Sequence, residues 1–436
     1  MLPTRVWGWH AILRGSVGIF MLLLLCAPLC AQNDRTDTLR LSLPDAERIF
    51  MEKNLDLVAS RYSIDASKAL IEQAKYWDNP VLQTDQNIYA NGKFFAHGKD
   101  ANGDLQGQYF IQIQQLIKTA GKRGKLIDMA TTNARINELQ FNDLMRNLKY
   151  QLRSSYYTME QLWNIHRLYQ EQLTHIRQLF TAMQAQEKAG NTARKDLLRI
   201  QALQLSVQQD LADNDAQLAN VQTDLRILLQ LEGNQFIVAA ATDAGSQVPL
   251  MVLDDLIATA KQNNPAYALQ QSQILYQQQN LRYQKALRSP DITLGPEYDH
   301  NSNYAPHYVG LSVSLPLNIF NKNQGNIKAA NFNVKQEETN LLQVTQQMNS
   351  NITNALNKLY ITQKAAGTEQ TDFYSEYNRM FGNVTESYRN RQINLLEFID
   401  FSDAYREARL KLLQQQLNLR LAKEELNYQV GKDVIR

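Results

Sequence analysis

The chain has 436 residues, with 45 Lys and Arg against 43 Asp and Glu, only 18 Gly and 10 Pro, and two cysteines. Balanced charge argues against nucleic acid as the main partner, and the scarcity of Gly and Pro favours long, uninterrupted helices. Both cysteines, Cys26 and Cys30, lie near the N-terminus, so disulfides, zinc–thiolate sites and cysteine nucleophiles are excluded from the rest of the chain.

Residues 1–31 read as a signal peptide. Arg5, His10 and Arg14 form a basic start, Val17 to Leu25 an apolar core, and Ala27 to Ala31 offer small residues for cleavage after Ala31. A lipoprotein signal would need a small residue just before its cysteine, but Leu25 and Leu29 stand there, so simple cleavage is expected. Cleavage would leave 43 charges of each sign. After Ala31 nothing approaches the run of about eighteen apolar residues that a spanning helix requires. An exported chain of this kind is expected to be soluble in the periplasm or inserted as a β-barrel.

The remainder reads as two copies of one unit, 32–233 and 251–436, joined by an equatorial linker at 234–250. Asp45 matches Asp255, Asn54 matches Asn264, Lys75 matches Lys285 and Pro80 matches Pro290. Past the next loop, which is shorter in the second copy, Lys122 matches Lys322, Ile127 matches Ile327 and Asn133 matches Asn333. Such coherent self-similarity indicates tandem duplication.

In copy one the pattern predicts a helix over 44–78, ended by Asn79-Pro80, then strands near 81–90 and 106–117. In the latter, Tyr109, Ile111 and Ile113 alternate with Phe110, Gln112 and Gln114. A helix over 122–188 follows; at 1.5 Å per residue it would extend roughly 100 Å. The chain turns at Ala189-Gly190-Asn191 and returns as a helix over 192–231, whose stripe Val207, Leu211, Leu218, Val221, Leu225 and Leu228 has heptad spacing with Asn214 in the gap. Copy two repeats this with strands near 291–300 and 307–317 and helices over 322–388 and 394–430. Val309, Leu311, Val313 and Leu315 alternate with Tyr308, Gly310, Ser312 and Ser314, one apolar face over roughly ten residues, as a lipid-facing barrel strand shows. The expected class is mainly α with a membrane β-barrel contribution. Four strands cannot close a barrel, and open edges are not tolerated in hydrocarbon. Three copies would supply twelve strands above a tube of twelve helices.

The sequence resembles the TolC family of outer-membrane efflux proteins over nearly its whole length after residue 31. The resemblance is carried by Leu43-Pro44-Asp45-Ala46 with Asn54-Leu55, by Asn264-Pro265, by Gln114-Gln115-Leu116 leading to Gly121-Lys122-Arg123, by Gly310 to Leu317 leading to Asn321-Lys322, and by the turn-and-helix segments after Gly190 and Arg391. Gly121-Lys122-Arg123 looks like an element of the heavy-metal-efflux branch. The resemblance implies a homotrimeric, passive duct in the outer membrane, partnered by a periplasmic adaptor and an inner-membrane pump of the resistance-nodulation-division class. It also implies that the two helix–helix turns, Lys188–Asp196 and Asn390–Asp400, form a periplasmic tip that dilates. Gly190 keeps the family's glycine; Arg391 replaces it in the second turn.

At the tip, Glu397, Asp400 and Asp403 recur every three residues on one helix face, and threefold symmetry would turn them into carboxylate rings that favour cations; the alternative is a solvated acidic face. Asp196, among Arg194, Lys195 and Arg199, reads rather as a salt-bridge partner. Tyr109, Phe110, Lys122 and Arg123 are candidates for the membrane interface, with ordinary surface charge as the alternative for the two cations. His97, His300 and His307 fall in or beside the external loops, and His166 and His175 do not share a face; no metal site and no cofactor is expected. No serine elbow, metalloprotease helix or acid–base pair points to catalysis. The competing readings are a periplasmic coiled-coil scaffold or adaptor, and a type I secretion duct of the same family.

Overall fold

The computed structural model describes residues 38–90, 92–233, 235–240, 248–302, 305–367 and 369–435. The expected signal peptide at 1–31 and much of the linker at 234–250 lie outside these residues.

Each copy opens with two helices rather than the single one expected: α1 (Leu43–Lys53) and α2 (Leu55–Lys75) in copy one, α5 (Leu253–Asn263) and α6 (Pro265–Ala286) in copy two. An asparagine makes the break in both. Asn54 leaves helical geometry at φ −61°, ψ 121°, and its side chain accepts the Leu57 N–H at 3.1 Å. Its amide nitrogen donates to the Leu228 carbonyl at 3.0 Å. Asn264 likewise accepts from Ala266 and donates to the Gln429 carbonyl at 2.9 Å. Each is a cap and also a hook, holding the last turn of the helix that returns from the tip. Both are buried, so neither amide could be left unpaired cheaply.

In copy one, α3 (Lys122–Lys188) runs unbroken for 67 residues and α4 (Arg194–Leu229) returns along it. Asn214, in the gap of the heptad stripe, is buried and donates to the Leu162 carbonyl at 3.1 Å. In copy two, the single helix expected over 322–388 is divided into α7 (Gln324–Ala365) and α8 (Glu369–Arg389). Ala366 closes α7 by donating back to Thr362 and Gln363, and Gly367 follows, the poorest helix former short of proline. Copy one has His166-Arg167 at this level, where His166 stacks on Trp163 at 5.1 Å and its Nδ1 lies 2.6 Å from the Asp215 carboxylate. The return helix is α9 (Leu395–Val430).

The four long strands are β2 (Val81–Gln86), β7 (Tyr109–Ile117), β9 (Ile292–Asn301) and β10 (Pro306–Ser314), in one antiparallel sheet ordered β10-β9-β7-β2. The two copies join through β7 and β9. β2 stops four residues before the expected end because Asn87 accepts the Gln108 N–H at 2.7 Å and turns the chain. The loop beyond forms two small hairpins: β3 (Tyr89–Ala90) with β4 (Lys93–Phe94), and β5 (Gly98–Lys99) with β6 (Leu105–Gln106). β1 (Thr38–Leu41) pairs in parallel with β8 (Phe236–Ala239), so part of the expected linker is a strand beside the mid-level of the helices. Apolar cores fill the mid-level of each copy around Phe50, Leu152, Tyr156 and Leu225 and around Ile352, Leu359 and Leu426, and a third lies at the tip. No described helix is long and apolar enough to cross a membrane.

Candidate functional site in the sheet and the helical tip

Successive strand residues point to opposite faces, and the register sorts the sheet into two unlike surfaces. One face carries Leu82, Ile111, Ile113, Leu294, Val309, Leu311 and Val313. Val309 is 75% exposed and Leu311 64%, an apolar surface left uncovered by the described residues. The other face is polar and arranged in rows: Gln83, Gln112 and Glu297 in one, Asp85, Phe110 and Asp299 in the next. Gln112 donates to Glu297 at 2.7 Å, Gln114 to Gln83 at 3.0 Å, and Gln108 to Asp299 at 2.9 Å. The four strands contain Asp85, Glu297 and Asp299 but no Lys or Arg.

This arrangement separates the interface candidates. Tyr109 stands on the apolar face, stacked on His300, whereas Phe110 lies on the polar face in the row of Asp85 and Asp299. Lys122 is no surface charge: it is 3% exposed, and its ammonium donates to the Ser289 carbonyl and the Asp291 carboxylate, each at 2.7 Å. Burial pushes the Asp291 carboxyl up, but the bonds from Lys122 and Thr119 outweigh it and hold the group below its ordinary value. Arg123 lies over the Trp77 ring at 4.5 Å. Trp77 and its neighbour Tyr76 are exposed where the sheet meets the helices, a natural level for interfacial aromatics. They sit at the end of a helix, so strand alternation gave no sign of them.

At the far end, both turns close in the same way. Gly190 takes φ 77° and donates to Glu187, with Asn191 donating to Gln186 at 2.9 Å. Arg391 takes φ 60° and donates to Tyr388, with Gln392 donating to Ser387 at 2.8 Å. The two hairpins pack together through Leu197, Ile200, Leu395 and Phe398, with Tyr388 against Met183. Burial, then the Asp196 charge, raises the Tyr388 hydroxyl, so Asp196 sits beside the second hairpin; Arg194 turns instead to Glu187 at 3.6 Å.

The acidic triad divides by role. Glu397 completes a capping box with Asn394, accepting that residue's N–H at 3.0 Å. Asp403 pairs with Arg406 at 3.1 Å, and Asp400 is exposed. An aromatic ladder holds α8 to α9: Phe381 stacks on Tyr405 at 4.2 Å and Tyr388 on Phe398 at 5.0 Å. At mid-level, Arg153 binds Glu47, Glu424 and Asp433, tying α1, α9 and the C-terminal segment to α3.

Residues 49–229 match the family described as outer membrane efflux protein. The chain is 21% identical over 375 residues to the cobalt-zinc-cadmium resistance protein CzcC of Cupriavidus metallidurans, covering 86% of each. It is 26% identical over 310 residues to the nickel-cobalt-cadmium resistance protein NccC of Alcaligenes xylosoxydans xylosoxydans, covering 69% of this chain and 66% of that one. Among solved structures, CusC, described in terms of folding and transmembrane channel formation, superposes with a TM-score of 0.72 at 15% identity, over 91% of this chain and 94% of that one.

Proposed function

We propose that this chain, whose residues 49–229 match the outer membrane efflux protein family, is the outer-membrane duct of a tripartite efflux system, passively conducting substrate from pump and adaptor to the exterior. The observation that carries the reading is the sheet, apolar on one face and polar on the other, open at the outer edges of β2 and β10, and continuous with antiparallel helix pairs. A sheet with free edges cannot remain so in hydrocarbon. Pairing β10 of one copy with β2 of the next, three times, closes a twelve-stranded barrel with its polar face inward, over a tube of twelve helical segments.

The proposed cargo is divalent transition-metal ions. In the trimer, Asp85 and Asp299 would form one acidic ring and Glu297 the next, a lumen that favours cations, and two relatives are named for resistance to such metals. The proposed partners are a periplasmic adaptor and an inner-membrane pump of the resistance-nodulation-division class, met at the tip.

The test is the native mass of the protein extracted in detergent from isolated outer membranes. A heat-modifiable trimer there supports the duct. A monomer in the periplasmic fraction replaces it with a soluble scaffold.

A further inference from the structure

The end of the sheet farthest from the helices gathers His97, His300 and His307. His300 in β9 faces His307 in β10, because the ladder pairs Asn301 with Pro306 and Asp299 with Tyr308. The two rings are 4.9 Å apart between centroids and cross at 76°. On its other flank His300 stacks on Tyr109 at 4.7 Å and 11°. His97 lies 6.4 Å from that same tyrosine ring. Its loop is held down at Gly107, where an added Cβ would fall 1.7 Å from the Ala96 carbonyl oxygen.

Two details are not explained by an aromatic rim alone. The Nδ1 atom of His300 is buried and has no hydrogen-bond partner among the described residues, a state that costs free energy unless a ligand satisfies it. His307 holds φ 55°, a left-handed conformation uncommon outside glycine, and such strain clusters at functional sites. The His307 Nδ1 is engaged 2.8 Å from the Tyr298 hydroxyl. That leaves Nε2 for a ligand, with the tyrosine orienting the ring as outer-shell partners orient metal-binding imidazoles.

We propose that His300 and His307 form a binding site for one imidazole-preferring divalent transition-metal ion, such as Zn2+, Ni2+ or Co2+, at the outer rim of the sheet. The ring separation fits: with metal–nitrogen bonds of about 2.0–2.1 Å, a tetrahedral angle places two imidazole centroids roughly 5 Å apart. No group of three or more His, Cys, Asp or Glu that could hold a metal is formed among the described residues, so water completes the coordination and the affinity is moderate. The site stands on the apolar face, off the polar rows, so it binds ions at the exterior and plays no part in conduction. It goes beyond the duct reading and can fail without it.

The test is calorimetric titration of the chelator-treated, full-length protein in detergent with ZnCl2, NiCl2 and MgCl2. The expected result is saturable zinc or nickel binding near one ion per chain and none for magnesium. H300Q, and H307N whose side chain tolerates the left-handed conformation, should each weaken zinc binding about tenfold or more, and Y298F less. The oligomer on a gel should stay intact in every variant. Unchanged zinc binding in both histidine variants, no saturable binding in the parent, or equal binding of magnesium would each overturn the proposal. In those cases the cluster is an aromatic rim and nothing more.

Discussion

The ammonium of Lys122, at the start of α3, lies 2.7 Å from the Asp291 carboxylate, which stands one residue before β9. The contact ties the long helix of one repeat to the start of a sheet strand of the other, and Thr119 adds its N–H to the same carboxylate at 2.8 Å. Removing one partner of such a pair leaves the other charge poorly solvated. Lys122→Met should therefore cost about 2 kcal/mol, read as a lower temperature for loss of the folded oligomer on a gel. The pH dependence has a definite sign. The Asp291 carboxyl titrates below its ordinary value when folded, so its stabilisation is complete above about pH 5 and is lost as pH falls through the folded value. The variant should accordingly lose stability at neutral pH and show a weaker acid dependence. A parent-like melting temperature at pH 7 would show that the pair contributes nothing net.

Arg391 occupies the left-handed position that Gly190 fills in the other turn. A side chain there costs roughly 1–2 kcal/mol that glycine does not. Arg391→Gly should thus stabilise the second turn by about 1 kcal/mol, and Gly190→Arg should destabilise the first by as much. Amide exchange at Gln392 and Asn191, which close the two turns, is the direct measurement. Faster exchange at Gln392 in the glycine variant would mean that Arg391 makes a compensating contact.

The long helices and strands were legible because periodicity and breakers acted locally. The predicted helix over 122–188 matches α3 end to end, and the β10 alternation of Val309, Leu311 and Val313 with Gly310 and Ser312 yields two real faces. The breaks at Asn54 and Asn264 went unread because an asparagine inside an apolar-periodic run has two outcomes. It becomes a cap only when a distant carbonyl, here Leu228 or Gln429, is present to take its amide. The division at Gly367 turned on one weak residue, whereas Gly124 stays within α3. The burial of Lys122 and the stacking of Tyr109 on His300, almost two hundred positions on, were invisible for the same reason: both arise from the pairing of β7 with β9 across the repeats.

The face assignment makes opposite predictions for neighbouring residues. An arginine on the lipid side of a barrel strand costs about 2–4 kcal/mol near the membrane midplane. Leu311→Arg should therefore impair insertion and oligomer yield, while Ser312→Arg, one residue on and facing the polar side, should assemble normally. Equal damage from both would argue that each face is packed against protein.

Two sets of carboxylates are candidates for control of ion passage, and they can be separated. Asp85 and Asp299 share a row on the polar face of the sheet, so in a closed barrel they would impose a cation preference along the lumen. Asp400 is exposed at the tip and Asp403 is partly neutralised by Arg406, so their effect should fall on closure rather than selectivity. In planar bilayers under a salt gradient, the double variant Asp85→Asn with Asp299→Asn should shift the reversal potential toward zero and leave the closed fraction unchanged. Asp400→Ala with Asp403→Ala should do the reverse, raising leak at a parent-like reversal potential, because Arg406, which reaches Asp210 of α4 at 3.9 Å, loses the carboxylate on its own helix that positions it. If the tip variant shifts the reversal potential and the sheet variant does not, the selective constriction lies at the tip and the sheet is only a wide exit.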